Sequence, residues 1–212
     1  MKTPGQWADE GTIRRITSWD EDVMRRPTEP VTEFGEALYP LIADMFATMR
    51  AAEGVGLAGP QIDVGKSIFI FYCPDEDERM HFGVVCNPVI ELPEGADRNF
   101  EATEEGCLSW PGAYQLLARP DRATVYGHNE DGEPITIVGT GLLARCLQHE
   151  TDHLSGTVFG DRLSNRSRRK LNEQRESLGH LYPDDWPIRP RGLPERPTAE
   201  SDDESTEDES GE

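Results

Sequence analysis

No apolar stretch of this 212-residue chain approaches the roughly 20 residues that a membrane-spanning helix needs. The strongest, Ser67–Cys73 (SIFIFYC), has the length of a strand. Basic residues are outnumbered, 21 Lys plus Arg against 41 Asp plus Glu, for a formal net charge of −20. A chain of that charge is repelled by DNA and by anionic lipid, which argues against both as partners. Cysteine is sparse: Cys73, Cys86, Cys107 and Cys146 stand far apart with no CxxC spacing. The opening MKTPGQWADEG has no basic stretch leading into an apolar one. Free or metal-bound thiols and a cytoplasmic location are therefore expected. Hydrophobic residues reach only 35% while charged ones reach 29%, the dilution expected of one compact core with a polar appendage.

The appendage is C-terminal. Residues Thr198–Glu212 (TAESDDESTEDESGE) hold eight acids, no base and no large apolar side chain. Such a stretch cannot bury enough surface to offset its ordering entropy, so a disordered acidic tail is expected at 198–212. Pro183, Pro187, Pro190, Pro194 and Pro197 mark 181–197 as a Pro-rich linker. That leaves a folded domain at 13–180 and an N-terminal extension at 1–12.

Inside that domain, Leu41, Met45 and Met49 fall at helical spacing, predicting a helix from Tyr39–Pro40 to about Gly54. Residues 67–73, 84–90, 98–104, 113–119, 122–128 and 134–138 read as short strands, with Asn129–Gly132 as a hairpin turn. Thr140 is placed to cap a helix over Gly141–Leu154, and Ser164 one reaching Gly179. One helix, many antiparallel strands and two further helices predict an α+β fold rather than a parallel βαβ sheet.

The strongest chemical signal is His149-Glu150-Thr151-Asp152-His153. Residues four apart on a helix lie on one face, so both imidazoles can reach one metal ion. The intervening Glu150 can sit beside a metal-bound water as general base. Leu142, Cys146, His149 and His153 share that face. A catalytic site of this kind needs a third ligand, and the sequence offers several. Six residues after His153, where a third His would complete one known pattern, stands Phe159. Glu173 lies twenty residues after His153, at the spacing of thermolysin-like peptidases, but within a basic stretch (RSRRKLNEQR) that reads as a solvated helix. Cys146 to His153 spans about 10 Å of helical rise, too long for one coordination shell. Cys107, in Glu105-Gly106-Cys107-Leu108-Ser109, fits equally as a thiolate ligand or as a small buried hydrophobe. A third segment, Gly54-Val55-Gly56-Leu57-Ala58-Gly59-Pro60-Gln61, lies between helix and strand, the reverse of a dinucleotide-binding loop. Its glycines allow close backbone approach to a ligand, and Gln61 can donate to a developing oxyanion or merely end a surface turn.

In this order and at these separations, GVGLAGPQ, EGCLS and HETDH resemble the three signature motifs of peptide deformylases, over about Ile13–Gly179. The resemblance implies an α+β fold with antiparallel sheets around the HExxH helix. It implies Cys107, His149 and His153 as ligands to one divalent ion, usually Fe2+, with Zn2+, Ni2+ or Co2+ able to substitute. Glu150 would be the acid/base, with Gln61 and the Leu108 amide as oxyanion donors. Gly54, Val55, Gly56, Gly106, Leu142, Arg145 and Cys146 would line the substrate pocket, and the Glu105–Arg119 pair would brace the cysteine loop. The implied activity is removal of the N-formyl group from formylmethionyl nascent peptides. Arg162, Arg166, Arg168, Arg169, Lys170 and Arg175 make the last helix basic in an acidic chain, a solvated face or a contact to ribosomal RNA. Two other readings remain: a zinc metallopeptidase using Glu173, and a non-catalytic, metal-stabilised deformylase-like protein.

Overall fold

In the computed structural model, which describes residues 2–192, the helices are α1 (Pro4–Glu10), α2 (Tyr39–Ala51), α3 (Gly141–Leu154) and α4 (Asn165–Leu178). The strands are β1 (Gly56–Ala58), β2 (Ile68–Pro74), β3 (Met80–Glu91), β4 (Phe100–Gly106), β5 (Tyr114–Pro120), β6 (Arg122–His128) and β7 (Pro134–Thr140). All pairings between these strands are antiparallel: β1-β2-β3-β6-β7 form one sheet and β4-β5 a separate hairpin. The α+β class read from the sequence is the one observed.

β2 explains why the chain carries one continuous apolar run. Alternate side chains of a strand point to opposite faces. Ile68 and Ile70 join the cluster around α2, while Phe69, Phe71 and Cys73 join the cluster around α3. The strand lies between two helical layers, so neither of its faces is polar. α3 itself is enclosed, with 11 of its 14 residues buried. It runs between the large sheet and the β4-β5 hairpin, which places its polar residues in the interior.

Several local features depart from expectation. Thr140 stands at the start of α3, but its side chain makes no capping bond and instead accepts weakly from the Glu76 amide at 3.5 Å. Three of the eight residues of the glycine-rich segment are strand, as β1, and β3 begins four residues before the expected 84. The expected N-terminal extension is packed: Thr3 caps α1, and Trp7 and Ala8 are buried in the α2 cluster. The close approach needs Gly11, where an added Cβ would stand 2.0 Å from the Ala43 carbonyl oxygen. The expected linker is packed at Trp186 and Pro187, while 188–192 are exposed. Trp186 is 8% exposed in the same cluster, and its carbonyl accepts from Ile16 N–H at 2.9 Å. A single Trp with a docking surface outweighs the spacer character that proline spacing suggests. The acidic stretch at 198–212 lies outside the described residues.

Candidate metal centre

α3 brings His149 and His153 onto one face, one turn apart, with their Nε2 atoms 3.1 Å from each other. Cys107 arrives from the end of β4, its Sγ 3.4 Å from His153 Nε2. The three donor atoms lie within 4.8 Å of one another, and all three residues are buried. At ordinary bond lengths a tetrahedral ion would hold its sulfur and nitrogen ligands about 3.5 Å apart and two nitrogens about 3.3 Å apart. The spacings fit that demand, and nitrogen with thiolate is a donor set for borderline-soft transition ions rather than for calcium or magnesium. Among the described residues this is the cluster of three such donors that could take a metal.

The loop that delivers Cys107 is anchored by the next aromatic residue. Trp110 N–H bonds the Cys107 carbonyl at 2.8 Å, and the Trp110 ring stacks on Trp19 with centroids 4.1 Å apart. Gly160 leaves room for that ring, because a Cβ there would stand 2.6 Å from it.

Glu105 ties the loop to the helix. Its Oε1 bonds His149 Nδ1 at 2.8 Å and Arg119 Nη2 at 2.7 Å, and its Oε2 accepts from Arg119 Nε and Arg145 Nη1, each at 2.8 Å. With Nδ1 donating to a carboxylate, the His149 Nε2 lone pair faces the two other donors. Burial alone would raise the Glu105 pKa, but the hydrogen bonds from Arg119 and His149 outweigh it and hold the carboxyl far below the usual range. Arg119 continues to Asp152 at 3.0 Å, and Arg162 closes on both Asp152 oxygens. The expected Glu105–Arg119 pair thus meets in the fold as part of a six-residue network with Arg145, His149, Asp152 and Arg162. Asp152, inside HETDH, was assigned no role by the sequence, and Arg162, expected on the basic last helix, instead precedes α4 and is bound to Asp152. Arg145 lines the cleft as expected, yet its guanidinium turns to Glu105, the Leu117 carbonyl (3.0 Å) and the Glu101 carbonyl (2.9 Å).

Glu150 has no such partner. It is 4% exposed and its Oε2 is buried without a hydrogen bond. Burial, little relieved by His149, pushes its pKa up to about 7. β1 lies directly against it: a Cβ at Gly56 would stand 2.4 Å from Glu150 Oε1 and 2.7 Å from Cys146 Sγ. Gln61 is oriented by its own backbone. Its Oε1 accepts from Ala58 N–H at 2.8 Å, which turns Nε2 toward Cys107 Sγ at 3.8 Å. The Leu108 amide makes no backbone hydrogen bond among the described residues.

These groups surround a cleft of about 210 Å³ that Gly54, Val55, Gly56, Gly106, Leu142 and Cys146 also line. Cys146 bonds the Val55 carbonyl at 3.7 Å and is not one of the three clustered donors. Glu173 is left out entirely: its side chain is 65% exposed on α4, 3.8 Å from Arg169. A cleft with three soft donors, a near-neutral carboxyl and two N–H donors can hydrolyse a small acyl group.

The family model for polypeptide deformylase matches residues 13–169. Peptide deformylase 1 of Streptomyces avermitilis is 49% identical over 179 residues, 84% of this chain and 82% of that one. Peptide deformylase 2 of Corynebacterium efficiens is 46% identical over 175 residues, 81% of this chain and 91% of that one. The crystal structure of a peptide deformylase from Legionella pneumophila superposes with a TM-score of 0.70 at 38% identity, over 80% of this chain and 97% of that one. That of a Synechococcus elongatus peptide deformylase in complex with actinonin gives 0.68 at 38% identity, over 77% and 86%.

Proposed function

The chain belongs to the polypeptide deformylase family and is a hydrolase; from that premise we propose that it removes the formyl group from the N-terminal formylmethionine of newly made polypeptides, releasing formate. The observation that carries this reading is the convergence of Cys107, His149, Glu150 and Gln61 on one cleft, with buried His153 completing the cluster of donors. Cys107, His149 and His153 would hold a divalent ion, and such an ion supplies Lewis acidity and a water acidic enough to lose its proton near pH 7.

The protein's own groups then divide the work. Glu150, with its pKa pushed up to about 7, takes the proton of the attacking water and returns it to the departing α-amine. Gln61 Nε2, steered by the Ala58 bond, and the Leu108 N–H donate to the oxygen of the formyl group as charge develops there. Gly54–Gly56 keep β1 close, so the reacting end of the cleft suits hydrogen on the carbonyl carbon better than methyl. Gly106, Leu142 and Cys146 take the methionine side chain. Arg145, Arg119 and Glu105 position His149 and the cysteine loop rather than touching substrate.

The resident ion in this reading is ferrous iron, with zinc, nickel or cobalt acceptable to the same donors. The described residues include no helix long and apolar enough to cross a membrane. The protein would act in the cytoplasm on emerging chains. α4, whose only buried residue is Leu171, would contact ribosomal RNA through Arg166, Arg168, Arg169, Lys170 and Arg175. Co-sedimentation with ribosomes that weakens as salt rises would support that contact. The catalytic unit extends on this view from α1 to about Gly192, beyond the 13–180 read from the sequence.

The direct test is formate release from a formyl-Met tripeptide, beside its acetyl analogue and an internally cleavable peptide. Formate from the first alone, lost in Cys107→Ser, is expected. Internal cleavage surviving Cys107→Ser would return the metallopeptidase reading, which the exposure of Glu173 disfavours.

A further inference from the structure

α4 reverses the charge of the chain that carries it. Its 14 residues include Arg166, Arg168, Arg169, Lys170 and Arg175 against Glu173 and Glu176, in a chain whose net charge is −20. Four of those cations, Arg166, Arg168, Arg169 and Lys170, fall within five consecutive positions, and all four are exposed. Among the described residues, Arg169 is the α4 cation with an ion-pair partner, Glu173 at 3.8 Å. Arg166 and Lys170 stand four apart on one face, a like-charge spacing that costs the helix stability. Packing does not explain the cluster, since α4 is held to the domain by buried Leu171 and by Gln174, whose Oε1 accepts from the Tyr114 amide at 3.2 Å.

The described residues end beside this helix. Gly192 N–H donates to the Leu181 carbonyl at 2.7 Å, and Leu181 stands three residues beyond Leu178, the last residue of α4. Residues 193–212 follow, and the stretch 198–212 holds eight acids and no base. From Leu178 back to Arg168 is about 15 Å at helical rise. Residues 193–199, extended, span about 23 Å. Glu200, the first acid of the acidic stretch, is therefore within reach of the cluster.

We propose that residues 198–212 dock on the exposed face of α4 in the same molecule, their carboxylates pairing with Arg166, Arg168, Arg169 and Lys170. The tether decides the occupant. Attachment within reach holds an acidic segment near its target at an effective concentration of order millimolar. A nucleic acid must first approach a chain of net charge −20. Each exposed pair contributes little, and salt weakens all of them. For the function above the consequence is competition, because the acidic stretch covers the residues offered to ribosomal RNA. No residue of α4 lines the metal cleft, so this docking is independent of the deformylase chemistry.

Zero-length carbodiimide cross-linking of the full-length protein at low salt tests the docking, because it joins a carboxylate to an amine only where the two touch. The chain has three lysines. Lys2 and Lys66 pair with Glu10 and Glu29, and Lys170 is the one on α4. Peptide mapping should find the acidic stretch joined to Lys170 within the monomer, and not to Lys2 or Lys66. High salt, with a Debye length of about 3 Å at 1 M, should abolish that product. The exposed double variant Arg166→Ala/Arg169→Ala should lower its yield about fivefold with the urea midpoint unchanged. Cross-links shared evenly among the three lysines, or indifferent to salt and to the double variant, overturn the docking. Cross-links confined to covalent dimers overturn it in favour of a second copy. A Lys170 that forms no cross-link to the acidic stretch, but that added RNA shields from acetylation, overturns it in favour of RNA.

Discussion

α3 and α4 are both 14 residues long and both rich in charged and polar side chains, yet 11 residues of α3 are buried against one of α4. In water a charge needs no partner. In the interior it needs one, or it must have its pKa shifted. α3 shows both outcomes. Arg145 and Asp152 are held by Glu105, Arg119 and Arg162, the network that also holds His149. On α3, Glu150 is the acid with a carboxyl oxygen buried without a partner, and it is the group whose pKa rises into the range where a proton can be exchanged at neutral pH. On α4, Arg169 and Glu173 sit 3.8 Å apart with most of both side chains in water. Charge on α3 is position; charge on α4 is surface potential.

The sharpest way to break that contrast is Glu150→Gln, which keeps the shape and removes the exchangeable proton. Formate release should fall about 10³-fold with the bound metal retained, as metal analysis of the same preparation would verify. A loss of less than tenfold would mean that another group moves the proton. Arg119→Ala should leave Glu105 and Asp152 as buried acids short of a cation. Urea unfolding should show a loss of about 3–5 kcal/mol, and a loss below 1 kcal/mol would make the buried network no different from a surface pair.

Gly56→Ala probes the β1 backbone that lies against Glu150. Its Cβ must displace the carboxylate or Cys146, so turnover should drop about 10²-fold with the urea midpoint nearly unchanged. Next comes pH. A base must be ionised to act, so with a pKa pushed up to about 7, kcat/KM should fall about tenfold per pH unit on the acid side of that value. A profile flat down to pH 5 would remove Glu150 from the role. The smallest effect belongs to α4: Glu173→Ala should change stability by less than about 0.5 kcal/mol and leave turnover alone. A larger change would show that α4 is not a solvated face.

How far these features can be read from the sequence follows from how local they are. HETDH is legible because two histidines four apart need only a helix to converge, and the strands of β2 to β7 are legible because alternation and turn residues act over a few positions. Cys107 is different. Spacing leaves it equally a ligand or a filler, and its thiol comes to stand beside the two histidines only through the pairing of β4 residues with α3 and the docking of Trp110 on Trp19. Glu173, at a plausible interval, faces water instead. Arg145 could have been read as a partner of the His149 face, since it lies one turn earlier, but its acceptors, Glu105 and the Leu117 and Glu101 carbonyls, come from other strands. α1 and the 181–192 segment escaped because each is secured by one buried Trp, and a single residue leaves no periodicity.

The sequence alone determined the secondary elements, the antiparallel α+β class, the two histidines with their glutamate, and through three ordered motifs the family. Those follow from short-range stereochemistry and spacing. Where spacing left Cys107 open and the resemblance only implied it, tertiary structure decided that its thiol stands beside the histidines, that the Arg145 guanidinium turns to Glu105, and where Trp7 and Trp186 pack. Each of these depends on contacts between segments tens of residues apart, whose outcome is set by what the whole core can bury and pair at once.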